Sequence, residues 1–139
     1  MKIWNGYGSE HSMNLVMIGQ FVSADEASKA KEAIDKFKEW VDAEIEAKSI
    51  ELGNPPTRYS NKILDFLKDQ HEYHIGLAEL EQFAYDVHVE VDKDKVVLKT
   101  DEPDISAFLK VLLDHGARIE LYSAHDYPET SDNRDEKVE

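Results

Sequence analysis

Residues Leu15-Val16-Met17-Ile18-Gly19-Gln20-Phe21 form a nearly unbroken apolar run. The run is too short for a stable helix and reads as a strand buried on both faces. Ser23-Ala24-Asp25-Glu26 follows as a capping box, in which the Ser23 hydroxyl accepts from the third amide and Glu26 reaches back. The apolar positions then take a helical period, with Ala27, Ala30, Ile34, Phe37, Trp40, Val41 and Ile45 on one face, until Gly53 and Pro55-Pro56 stop it. A helix from Ala24 to Leu52 is about 40 Å long, whereas a strand from Leu15 to Phe21 spans only about 24 Å. The distal half of the helix therefore overhangs the sheet and needs another partner for Trp40, Val41 and Ile45.

The next segment supplies one. Ile63, Leu64, Phe66 and Leu67, then Leu77, Leu80 and Phe83, recur at helical spacing, with Ser60 placed to cap. They predict two short helices, broken near His74-Ile75-Gly76, that form an arm at about residues 54–84 packed on the overhang. Val87, Val89 and Val91 alternate with His88, Glu90 and Asp92, and Val96 and Leu98 continue the pattern beyond the turn Asp92-Lys93-Asp94-Lys95. Pro103 is expected to open a helix with Ile105, Phe108, Leu109, Leu112 and Leu113 on its apolar face, ended by Gly116. Ile119 and Leu121 mark a last strand. Met1 to Tyr7 is a candidate extra edge strand. Residues 1–125 thus read as one domain, and 126–139 as an acidic, disordered tail with almost no apolar content.

The order strand, helix, helical detour, strand, strand, helix, strand resembles the ferredoxin-like split β-α-β sandwich, an α+β fold with an antiparallel four-stranded sheet. That resemblance implies the strand order fourth, first, third, second. RNA-recognition motifs share the topology but stack bases on aromatic residues of the third strand, and Lys95-Val96-Val97-Leu98-Lys99-Thr100 has none. The opening Tyr7-Gly8-Ser9-Glu10-His11-Ser12 resembles the start of a family of small uncharacterised bacterial proteins, which implies no activity.

Composition narrows the partners. The 139 residues carry a formal net charge of −14. A nucleic-acid backbone or an anionic membrane would be repelled, so basic proteins or small molecules are the expected partners. No cysteine is present, which excludes disulfides, thiolate metal sites and cysteine nucleophiles. No leader-like start or membrane-length apolar run is apparent, and a cytoplasmic location is expected.

Two places carry candidate chemistry. In the expected sheet the first strand starts beside the end of the fourth, which would gather Glu10, His11, His125 and Asp126 at one pole, close to Thr100 and Asp101. Imidazoles with carboxylates suit either acid–base catalysis or a transition metal, with His11, His125 and Asp126 as the ligands, although Ser9 and Ser12 also read as simple turn caps. His71 and His74 stand three apart on a helix but lack the His-Glu-x-x-His pattern of zinc proteases. The second place is the helix-free face of the sheet. His88, Glu90, Lys95, Val97, Lys99, Glu120 and Tyr122 project from it as a binding surface around an apolar middle that a protein partner or a second copy would cover. No phosphate loop, dinucleotide fingerprint or nucleophile elbow occurs, and no cofactor is implied. The leading expectation is a non-enzymatic, acidic protein-binding module: an inhibitor, an immunity-type protein or an accessory subunit. The alternatives are a small enzyme or metal-binding domain using the pole, and a small-ligand sensor that dimerises through its sheet.

Overall fold

The computed structural model describes residues 14–123. Strand β1 (Leu15–Gln20) is apolar on both faces and takes a central position in a four-stranded sheet. Strands β2 (Val87–Asp92), β3 (Lys95–Thr100) and β4 (Arg118–Ser123) complete it in the order β2-β3-β1-β4, with every neighbour antiparallel. The fold class is α+β, and the strand order is the one expected from the sequence. Leu15 pairs with Thr100 on one side and Ser123 on the other, so the start of β1 and the ends of β3 and β4 share a pole. Met1 to Tyr7 and residues 126–139 lie outside the described residues.

Three helical elements and a 3₁₀ segment cover one face. Helix α1 (Ala24–Glu46) starts where Ser23 Oγ accepts from the Glu26 amide at 3.3 Å. It stops short of Leu52 because Glu44 captures the chain beyond it. The Glu44 carbonyl accepts from the amides of Ser49 (2.9 Å) and Ile50 (3.3 Å). Its carboxylate accepts from Ser49 Oγ at 2.6 Å and pairs with Lys62 Nζ at 3.0 Å. Burial pushes the Glu44 carboxyl up, but the bonds from Ser49 and Lys62 outweigh it and hold the group below its ordinary range. An acid in a buried position thus ties the end of α1 to the start of helix α2 (Asn61–Gln70).

Even shortened, α1 is about 35 Å long and outruns the sheet. Its overhang is held by aromatic rings. Trp40 stacks on Phe66 of α2, with centroids 4.3 Å apart and planes 6° from parallel. Phe66 meets Phe37 edge-on at 5.0 Å, Phe37 stacks on Phe83 at 4.5 Å, and Phe83 meets Phe108 at 5.0 Å. One continuous row of rings joins the overhang, α2, the 3₁₀ segment Leu77–Ala84 and helix α3 (Ser106–Asp114). The helical break falls at His71, in the left-handed region at φ 57°, earlier than the expected His74-Ile75-Gly76.

Helix α3 begins at Ser106 rather than at Pro103, and Ile105 supplies no side-chain cap. Gln82 takes that role across the chain: its Oε1 accepts from the Ala107 amide at 2.7 Å. Glu79 completes the joint by accepting from Ser106 Oγ, from Lys110 Nζ at 2.7 Å and from the Gly76 amide at 2.7 Å. Burial raises the Glu79 carboxyl, and these donors outweigh it, so the group stays low. Gly19 lets α3 approach β1: a Cβ there would stand 3.3 Å from each of Ala117 Cβ, Leu112 Cδ1 and Phe21 Cε1. Leu113, expected on the core face, is exposed, because the buried face of α3 runs through Ala107, Phe108, Val111 and Leu112 and leaves it on the outer side of the same turn.

Trp40 is half-buried and its ring partner is Phe66. Trp40→Ala is expected to cost about 2–3 kcal/mol in urea denaturation, less than a fully buried tryptophan would. A loss under about 1 kcal/mol would mean that the stacking does not hold the overhang.

Candidate functional site

The expected polar pole divides at the limits of the described residues. Glu10, His11, His125 and Asp126 lie outside them. Thr100 and Asp101 lie within and line a polar hollow of about 380 Å³ that also touches Asn14 and His88. Thr100 Oγ1 is already engaged, donating to the Asp86 carbonyl at 2.9 Å and accepting from the Glu102 amide at 3.0 Å. His71 and His74 are both exposed. Among the described residues no group of three or more His, Asp or Glu side chains is placed to hold a metal ion.

The alternation of each strand puts the seven sheet-face residues on the side away from the helices. Lys99 sits between His88 and Val16, and Val97 between Glu90 and Ile18; Tyr122 and Glu120 flank Val16 and Ile18 on the far side. His88 Nε2 stands 3.4 Å from Glu90 Oε2. Ile18 and Val97 are half-buried in the middle. Glu90, Asp92 and Glu120 are balanced on this face by Lys95, Lys99 and Arg118, so the large negative charge of the chain is carried elsewhere.

The described residues also hold a site that periodicity did not single out. At the end of α2 the left-handed His71 reverses the chain, and the Glu72 amide donates to the Leu67 carbonyl at 3.0 Å. His71 and Tyr73 are left outside while the Glu72 side chain is carried inward, where it is 1% exposed. Its carboxyl meets the end of α3. Asp114 is its hydrogen-bond partner, and His115 Nε2 stands 4.0 Å from Glu72 Oε2. Glu72 Oε1 is buried with no hydrogen-bond partner.

Burial, then the bond to Asp114 and the charge on it, push the Glu72 carboxyl up to about 9. At neutral pH Glu72 is therefore protonated and can donate to Asp114. Glu72 is part of the wall of a cleft of about 440 Å³, formed also by Tyr59, Leu64, Leu67, Lys68, Tyr73 and Ile75. Tyr59 (44% exposed), Leu64 (48%) and Tyr73 (67%) leave large apolar surfaces open to solvent around it. The Tyr59 hydroxyl donates to the Ile75 carbonyl at 3.0 Å and frames one side. Leu64, whose spacing alone would set it against Trp40, lines this cleft instead.

A carboxyl raised on folding makes stability fall with pH. Between the unfolded value near 4.5 and the folded value of about 9, the native state holds a proton that the unfolded chain has lost. Glu72→Gln keeps a neutral donor toward Asp114 and removes the titration. It is expected to flatten the decline and to be more stable than the parent near pH 9 by about 1–3 kcal/mol, read from thermal melts between pH 5 and 9. Parallel curves for the two proteins would show a carboxyl that is solvated and ionised.

No helix among the described residues is long and apolar enough to cross a membrane. Comparison with curated proteins and with solved structures returns no match. A family model does match, over residues 1–134, nearly the whole chain. The protein accordingly belongs to DUF6375, a family of unknown function.

Proposed function

We propose that this protein is a binding module that takes a small amphipathic molecule into the cleft beside Glu72. The observation that carries the reading is a mainly apolar cleft whose wall includes Glu72, a residue with a buried carboxyl oxygen that has no hydrogen-bond partner, and Lys68. An unpaired buried acceptor costs about 1–3 kcal/mol, and a ligand that brings a donor recovers it. The cleft is of the size that small-molecule sites have, and its composition is theirs too: apolar walls with one or two polar groups that orient the guest. Leu64 and Tyr73 stay exposed at a solvation cost that a guest would offset.

The experiment is a fragment screen followed by NMR on methyl-labelled protein. Hits are expected to shift the methyl signals of Leu67 and Ile75. Leu64→Asp, at an exposed position, is expected to leave folding intact and weaken the hits by about tenfold. Hits that leave those methyls unmoved would remove the reading.

A second reading has its own observation. Ile18 and Val97 form an apolar middle on the helix-free face, beside the exposed Tyr122. That arrangement suits a protein-binding module of the inhibitor, immunity or accessory type. A second copy of the chain is the first partner to test, because this face is charge-balanced whereas a net charge of −14 repels like copies elsewhere. Sedimentation is expected to show a dimer that Val97→Asp dissociates by at least about tenfold. A monomer at every concentration tested would remove self-association through this face.

A further inference from the structure

The helix-free face carries its charges in two crossed lines. Glu90, Val97, Ile18 and Glu120 stand side by side in one row across the four strands. Lys95, Val97 and Lys99 alternate along β3, at right angles to that row. Acids end the row, lysines end the column, and Val97 belongs to both. We infer that two copies of the chain pack face to face with their strands crossed at about 90°, so that Glu90 and Glu120 of each copy lie over Lys95 and Lys99 of the other. This inference rests on self-association through the helix-free face, the second reading above, and adds the geometry of the pair.

The spacings fit. Three strand separations, about 14 Å, lie between Glu90 and Glu120, and four residues of rise, also about 14 Å, lie between Lys95 and Lys99. A quarter turn therefore carries the acidic row onto the basic column. A two-fold axis in the plane of the interface, at about 45° to the strands, makes the match reciprocal, as an isologous dimer requires. The same turn lays Val97 and Ile18 of one copy across Val97 and Ile18 of the other, so each apolar middle covers its counterpart.

Aligned strands would bring like charges together instead. A two-fold axis parallel to the strands sets Glu90 against Glu120. An axis in the interface plane and perpendicular to the strands sets Lys95 against Lys99, and each glutamate against its own counterpart. Like charges facing each other across an interface suppress both arrangements.

The four charged groups are available for such contacts. Glu90, Lys95, Lys99 and Glu120 are all exposed. Among the described residues Lys95, Lys99 and Glu120 make no ion pair, and Glu90 has only His88, 3.4 Å away on its own strand. The row and the column thus do not neutralise each other within one chain. His88, Asp92, Arg118 and Tyr122 stand at the corners of the face, on the rim of the interface, where charges weigh little.

The test is sedimentation of the full chain over a range of concentrations, at low and at physiological salt. Glu90→Gln with Glu120→Gln is expected to weaken the dimer at least about tenfold, and Lys95→Gln with Lys99→Gln to do the same. Glu90→Lys with Glu120→Lys, or Lys95→Glu with Lys99→Glu, is expected to give a monomer. Making all four reversals together is expected to restore the parental dissociation constant to within about threefold. Thermal melts check that these exposed substitutions leave the fold intact.

A dimer that the glutamine variants leave unmoved or tighten, and that Val97→Asp still dissociates, would overturn the crossing and leave self-association through this face standing. Failure of the four reversals to restore the dimer would also overturn the crossing. A dimer insensitive to Val97→Asp, or a monomer at every concentration and salt, would remove both the crossing and the self-association.

Discussion

Helix α1 is longer than the sheet beneath it, and much of the remaining architecture answers that mismatch. The portion from Phe37 onward has apolar side chains and too little sheet to cover them, so the chain builds an arm to receive them. The row of rings from Trp40 through Phe66, Phe37 and Phe83 to Phe108 makes the arm and the sandwich one cluster. Phe37 is its centre, fully buried and touching two other rings. Stacked and edge-on rings have preferred geometries, so this row sets where the arm sits as well as how much area it buries.

Polar joints then set the ends of each element. Glu44, Glu79 and Glu72 are three buried or half-buried acids with different surroundings and opposite outcomes. Glu44 meets Lys62 and Ser49, Glu79 meets Lys110 and Ser106, and both are held ionised. Glu72 meets another acid and is held protonated. The first two close the chain on itself. The third leaves a buried oxygen unsatisfied, which works against stability, and such local conflicts concentrate at functional sites. That contrast, more than the volume of the cleft, distinguishes the arm from ordinary packing.

The sheet face and the cleft differ in what they can recognise. The face is broad, charge-balanced and apolar along Val16, Ile18 and Val97, which suits contact with another folded surface. The cleft, about 440 Å³ and lined mainly by apolar side chains, suits a small guest. The two lie on opposite layers of the fold, so occupancy of one does not block the other.

Much of the fold was legible in the sequence because its signals are local. The apolar run Leu15–Phe21, the Ser23 cap, the valine alternation and Gly116 each act on residues within a few positions, and together they determined the element order, from which the resemblance to the ferredoxin-like topology implied the strand order and the side chains that share the helix-free face. Helix length called for a partner to Trp40 and the apolar spacing of the arm offered Ile63, Leu64, Phe66 and Leu67; the structure pairs it with Phe66. What lay beyond local signals depended on partners far along the chain. Helix α1 ends at Glu46 because Glu44 finds Lys62, and α3 starts at Ser106 because Gln82 supplies its cap. Glu72 between two histidines reads as a polar spacer. Only the left-handed turn at His71 and the arrival of Asp114 from α3 make it a buried, protonated acid, because a carboxyl's charge state is set by the medium and the charges that tertiary packing places around it.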